Sequence, residues 1–119
     1  MKVKVASTIL YCKNWPETVS FYRDELKFEV SFANEWFVEF KLNAAACLSV
    51  VDEKRATIRH ANGEGVMISL KVDKIESVYR EMEALELNPT SIKEVWGSPV
   101  FYIFDPEGVR IEFWSQSQI

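Results

Sequence analysis

Trp36, Val38, Phe40 and Leu42 alternate with Phe37, Glu39 and Lys41, the period-two pattern of a strand that covers one face and leaves the other free. Apolar runs bounded by turn residues predict further strands over 3–12, 28–33, 45–51, 66–72, 90–94, 100–104 and 110–115, beside 36–42. Two stretches carry helical spacing instead: Trp15, Val19, Tyr22 and Leu26, then Ile75, Val78, Met82 and Leu85. Asn14 precedes Trp15-Pro16-Glu17, and Asp73 stands three residues ahead of Glu76, so each helix has an N-cap with an acid at the capping-box position. Asp105-Pro106-Glu107-Gly108 predicts a hairpin turn, Pro presetting φ and Gly free to take φ > 0.

In order, these elements read strand, helix, three strands, and then the same again. Module one spans 1–51 and module two 66–119, with the polar, unpatterned stretch 52–65 as linker. The copies share residues as well as order: Glu17-Thr18-Val19 against Glu76-Ser77-Val78, and Val38-Glu39-Phe40 against Ile111-Glu112-Phe113. An internal duplication is the simplest source of both. A βαβββ unit covers one sheet face with its helix, and its other face must bury itself on a second unit or around a ligand.

Composition narrows the classes. At 119 residues the chain is one domain's length, able to bury roughly two-thirds of its unfolded surface without metal or disulfide staples. Four Trp, four Tyr and eight Phe beside only four Gly and four Pro are a folding composition. A net charge of -4 with no basic stripe argues against nucleic acid as partner. The longest apolar stretch, 44–51, is far short of the ~20 residues that span a bilayer. Met1-Lys2-Val3-Lys4 opens no leader pattern, so the expectation is a cytoplasmic protein with no membrane partner. Cys12 and Cys47 lie in strand-like runs, Cys12 toward the helix and Cys47 toward the free face, and are expected as reduced thiols with no base nearby. His60, the sole histidine, falls in the linker and is expected to be a solvated side chain.

The stretch from Asn14 to Leu26 resembles the first-helix signature of the vicinal oxygen chelate superfamily, which includes glyoxalase I, bleomycin-resistance proteins and extradiol dioxygenases. Asp105-Pro106-Glu107-Gly108-Val109-Arg110-Ile111-Glu112-Phe113 resembles its closing hairpin, and Trp96-Gly97 is a further habit of the family. The resemblance implies an α+β fold in which two tandem βαβββ modules form a cup-shaped half-open barrel, paired in a homodimer with small-molecule sites between subunits. It also implies, for the metal enzymes, a ligand on the first strand of each module and a carboxylate on a late strand of each. Here those positions fall on Ser7, Met67, Glu39 and Glu112. A hydroxyl and a thioether are poor partners for the borderline ions that imidazole and carboxylate hold.

Strand alternation places Ser7, Ile9, Tyr11, Phe37 and Lys41 on the cup face of module one, and Met67, Ser69, Lys71, Tyr102, Phe104 and Trp114 on that of module two. Such a lining suits a planar or amphipathic organic ligand. The leading expectation is a non-catalytic binding protein of the bleomycin-resistance type, holding an aromatic ligand in a metal-free crevice at a dimer interface. Tyr11, Phe37, Tyr102, Phe104 or Trp114 would stack on it, with Ser7 and Met67 beside it and Glu39 and Glu112 available to a cationic group. The alternative is a divalent-metal-dependent lyase, isomerase or dioxygenase whose ion rests on Glu39 and Glu112. The bland reading of those two carboxylates is ordinary ion pairing with Lys41 and Arg110, two residues away on the same faces.

Overall fold

The computed structural model describes residues 1–117; positions 118 and 119 of the expected second module lie outside them. The described chain divides into two compact units, the first over 1–62 and the second from Gly63 onward. In the first, β1 (Ala6–Cys12), α1 (Trp15–Ser20), β2 (Glu29–Ala33), β3 (Phe37–Asn43) and β4 (Ala46–Asp52) build a sheet of order β1-β4-β3-β2. In the second, β5 (Met67–Lys71), α2 (Ile75–Ala84), β6 (Lys93–Val95), β7 (Ser98–Phe104) and β8 (Arg110–Trp114) repeat it as β5-β8-β7-β6. In each sheet the outer pair β1–β4 or β5–β8 is parallel and the rest antiparallel. In each unit the helix crosses over from the first strand to the second, which run parallel at opposite edges of the sheet.

The helix-facing residues make each core. In unit one Leu10, Cys12, Val38, Phe40, Leu48 and Val50 are buried together with Val19 and Tyr22. Tyr22 lies 5.9 Å from the Phe40 ring and stacks on Phe28 at 6.2 Å. Trp15 anchors the start of α1 to the sheet by donating its indole N–H to the Val50 carbonyl at 3.0 Å. In unit two Ile75 and Met82 are buried with Phe101, Ile103, Ile111 and Phe113, Phe101 stacking on Phe113 at 5.1 Å.

Several local devices depart from what the pattern suggests. Neither helix takes a side-chain cap from Asn14 or Asp73; the N-cap position of α2 is Lys74, and at α1 it is Thr18 Oγ1 that bonds back to the Asn14 carbonyl at 2.7 Å. The end of the first helix widens into a π turn over Phe21–Glu25, closed by Leu26 N–H on the Phe21 carbonyl. The expected strand over 90–94 shortens to Lys93–Val95. Thr90 spends its groups on Tyr102, donating its N–H to the carbonyl at 2.9 Å and accepting the Tyr102 N–H on its hydroxyl at 2.8 Å. Residues 52–65 are ordered rather than a bare linker. Asp52 caps a 3-10 turn over Glu53–Arg55, and Arg59 donates to the Glu53 and Ala56 carbonyls at 2.7 and 3.1 Å.

Candidate functional site

Register arranges the free face of unit one in three rows across β1, β4 and β3: Tyr11–Val51–Phe37, Ile9–Ser49–Glu39 and Ser7–Cys47–Lys41. Over the first row opens a cleft of about 600 Å³, lined by Ile9, Tyr11, Trp36, Phe37 and Val51 on the sheet side and by Lys54, Arg55, Ala56 and Thr57 from the 3-10 turn. Tyr11, Trp36 and Phe37 are half-buried, and the Trp36 and Phe37 rings meet edge to face at 5.9 Å. The Arg55 guanidinium lies 5.9 Å from the Trp36 ring centroid.

Of the first-unit residues expected at a site, Tyr11 and Phe37 reach this cleft; Ser7 and Glu39 do not line it. Trp36 does, although alternation put it on the opposite face with Val38. β3 begins only at Phe37, so Trp36 stands before the pleat and outside its period. Lys54 and Arg55 escaped notice because 52–65 lacks periodicity, and short turns have none to show.

The free face of unit two carries the other expected residues in rows Met67–Arg110–Phe104, Ser69–Glu112–Tyr102 and Lys71–Trp114–Val100. Its aromatics are covered by cations: Lys71 over Trp114 at 5.1 Å, Lys93 over Tyr102 at 5.3 Å, and Arg110 over Tyr102 at 4.6 Å and Phe104 at 5.9 Å. Glu39 and Glu112 do not pair with Lys41 and Arg110. Each accepts a serine hydroxyl instead: Ser31 Oγ to Glu39 at 2.8 Å and Ser69 Oγ to Glu112 at 2.6 Å. Ser31 is aimed at Glu39 by the register shift between Val30 and Phe32, which turns one β2 residue out of the ladder.

The same register corrects the equivalence of the two glutamates. Glu112 lies on β8, whose counterpart in the repeated order is β4, and the β4 residue in the matching row is Ser49. Glu39 lies on β3 and matches Tyr102 of β7. Equivalent donor positions therefore hold two hydroxyls (Ser7, Ser49), one thioether (Met67) and one carboxylate (Glu112). Neither the Ser7 and Ser49 pair of unit one nor the Met67 and Glu112 pair of unit two fits the borderline divalent ions that imidazole and carboxylate ligands retain. Elsewhere among the described residues no three His, Cys, Asp or Glu side chains converge.

His60 is not a free solvated side chain: its backbone N–H and its Nδ1 both meet Glu53 Oε1 at 2.9 Å. The backbone hydrogen bond from His60, then the one from its ring, hold the Glu53 carboxyl below the ordinary range. Cys12 is buried and Cys47 half-buried, and neither is in a disulfide.

The Glyoxalase/Bleomycin resistance protein/Dioxygenase superfamily model matches residues 4–113, and the chain belongs to that superfamily. Among solved structures it is similar to a lactoylglutathione lyase from Agrobacterium tumefaciens, at 23% identity, TM-score 0.73, and coverage of 93% of this chain and 92% of that one. A glyoxalase/bleomycin resistance protein/dioxygenase from Nocardioides aligns at 17% identity and TM-score 0.80, over 99% and 86% of the two chains. An antibiotic binding protein from Streptomyces sp. CB03234 aligns at 15% identity and TM-score 0.79, over 95% of each. No curated protein matches the chain. No helix among the described residues is long and apolar enough to cross a membrane.

Proposed function

We propose that the protein is a small-molecule-binding member of the superfamily, holding an aromatic or amphipathic ligand without a metal ion, and that it works as a homodimer. The observation that carries this reading is the first-unit cleft. Three half-buried aromatic rings surround about 600 Å³ of space, within the range of small-molecule sites and with the lining that planar ligands favour. The likeness in fold to an antibiotic binding protein supports it, as does the poor donor set at Ser7, Ser49 and Met67. Exposed apolar side chains on the free faces, Ile9 at 45%, Met67 at 43% and Phe104 at 49%, leave apolar surface for a ligand or a second subunit to cover.

Calorimetry with 2-naphthalenemethanol on chelator-treated protein tests the reading. Stacking contributes ~0.5–1.5 kcal/mol per ring pair beyond area burial. Replacing Tyr11 and Phe37 together by Ala is therefore expected to weaken binding about tenfold or more, with the fold checked by its thermal midpoint. Unchanged affinity in that double variant overturns the cleft as the site. Sedimentation giving the mass of a single chain overturns the homodimer.

A further inference from the structure

The 3-10 turn at the cleft mouth presents two cationic side chains that no carboxylate pairs among the described residues. Glu53 is engaged by His60 through both backbone and ring. Asp52 accepts the Lys54 N–H on Oδ1 at 3.1 Å, and Arg59 is committed to backbone carbonyls. Lys54 and Arg55 remain, both exposed, and among the described residues neither forms an ion pair. In a chain with 18 acidic against 14 basic residues, these two adjacent cations stand at an aromatic cleft with no carboxylate paired to either. The carboxylate of this face, Glu39, does not line the cleft and is held by Ser31.

We infer that the cleft selects aromatic anions: the ring system lies against Tyr11, Trp36 and Phe37, and a carboxylate, sulfonate or phenolate meets Lys54 and Arg55 at the rim. This rests on the aromatic reading of the cleft and adds to it the sign of the ligand's charge. Arg55 is the better placed of the two to orient the acid group. Its guanidinium is planar and lies over Trp36, so its N–H fork can face a carboxylate while its π face stays on the indole. Lys54 supplies a second, less directional charge. The turn that presents them is fixed by the Asp52 cap and the Arg59 staple.

The test uses one ring with three charges: 2-naphthoate, 2-naphthalenemethanol and 2-naphthylmethylammonium, titrated calorimetrically into the wild-type chain and into the double variant Lys54→Gln, Arg55→Gln. Both sites are exposed, and an unchanged thermal midpoint shows the variant folded. Naphthoate is expected to bind about tenfold more tightly than the alcohol, and the ammonium compound more weakly than either. The double variant is expected to bring the ratio of naphthoate to alcohol affinity down to about one. The naphthoate advantage is also expected to shrink as salt is raised. Equal affinity for all three probes overturns the charge selection and leaves the aromatic cleft standing. Failure of all three to bind overturns both.

Discussion

Asp105 shows how much one side chain can organise. It is buried at 5% exposure, and its Oδ1 accepts the N–H groups of Glu107 at 2.8 Å and Val109 at 2.9 Å. Asp105→Ala leaves both donors without that partner and is expected to cost about 2–4 kcal/mol in denaturant unfolding. Gly63 has φ +76, and a Cβ placed on it would clash with the carbonyl carbon and oxygen of Gly108. Gly63→Ala is expected to destabilise by more than about 2 kcal/mol, because the neighbour that must give way is backbone. The turn at Asp105 was legible in the sequence, since Pro and Gly at fixed offsets carry their geometry with them. The close approach of Gly63 was not, because two glycines 45 positions apart in the chain say nothing of proximity. Trp36 and Arg55 escaped for a related reason: a side chain just outside a periodic element obeys neither period.

At the scale of elements, both helices end on a non-glycine residue in the left-handed region, Lys27 at φ 58 and Glu86 at φ 59. Leu87 N–H then closes on the Met82 carbonyl at 3.1 Å, and Phe28 N–H on the Tyr22 carbonyl at 3.0 Å, one residue further because of the π turn. Glu86→Gly relieves the Cβ penalty and is expected to raise stability by up to about 1 kcal/mol in denaturant unfolding. The π turn also carries Asp24, held at about 2 by hydrogen bonds from Arg23 first and Ser20 second. Because the folded-state value is depressed, this contribution is present in full above pH 3.8 and is lost as pH falls through about 2. An NMR titration of the Asp24 carboxyl checks the value. In Asp24→Asn the acid side of the stability profile is expected to flatten in that window. The order of strands and helices was legible from periodicity, whereas the caps were not. Asn14 and Asp73 have the right chemistry, but helix ends are fixed by how the chain packs, and both helices form without those side chains.

At the scale of the whole chain, the repeated βαβββ order shows in sequence and in structure, and the superfamily model matches across both copies, residues 4–113. Residue matches were a poorer guide than order. Val38-Glu39-Phe40 and Ile111-Glu112-Phe113 look alike, yet they occupy the third strand of one unit and the fourth of the other. Register rather than local similarity pairs Glu112 with Ser49, so one carboxylate survives in the set where the resemblance suggested two. Metal-free binding of an aromatic ligand therefore stands or falls on that donor set. The most direct test is the thermal midpoint of chelator-treated protein with Ni, Zn, Mn and Fe(II) added singly, since an ion that binds only the folded state raises it by mass action. No saturable rise is expected with any of them, beside a rise with 2-naphthoate. A saturable rise with one ion, lost in Glu112→Ala, would contradict metal-free binding and make the protein a metal-dependent member of its superfamily.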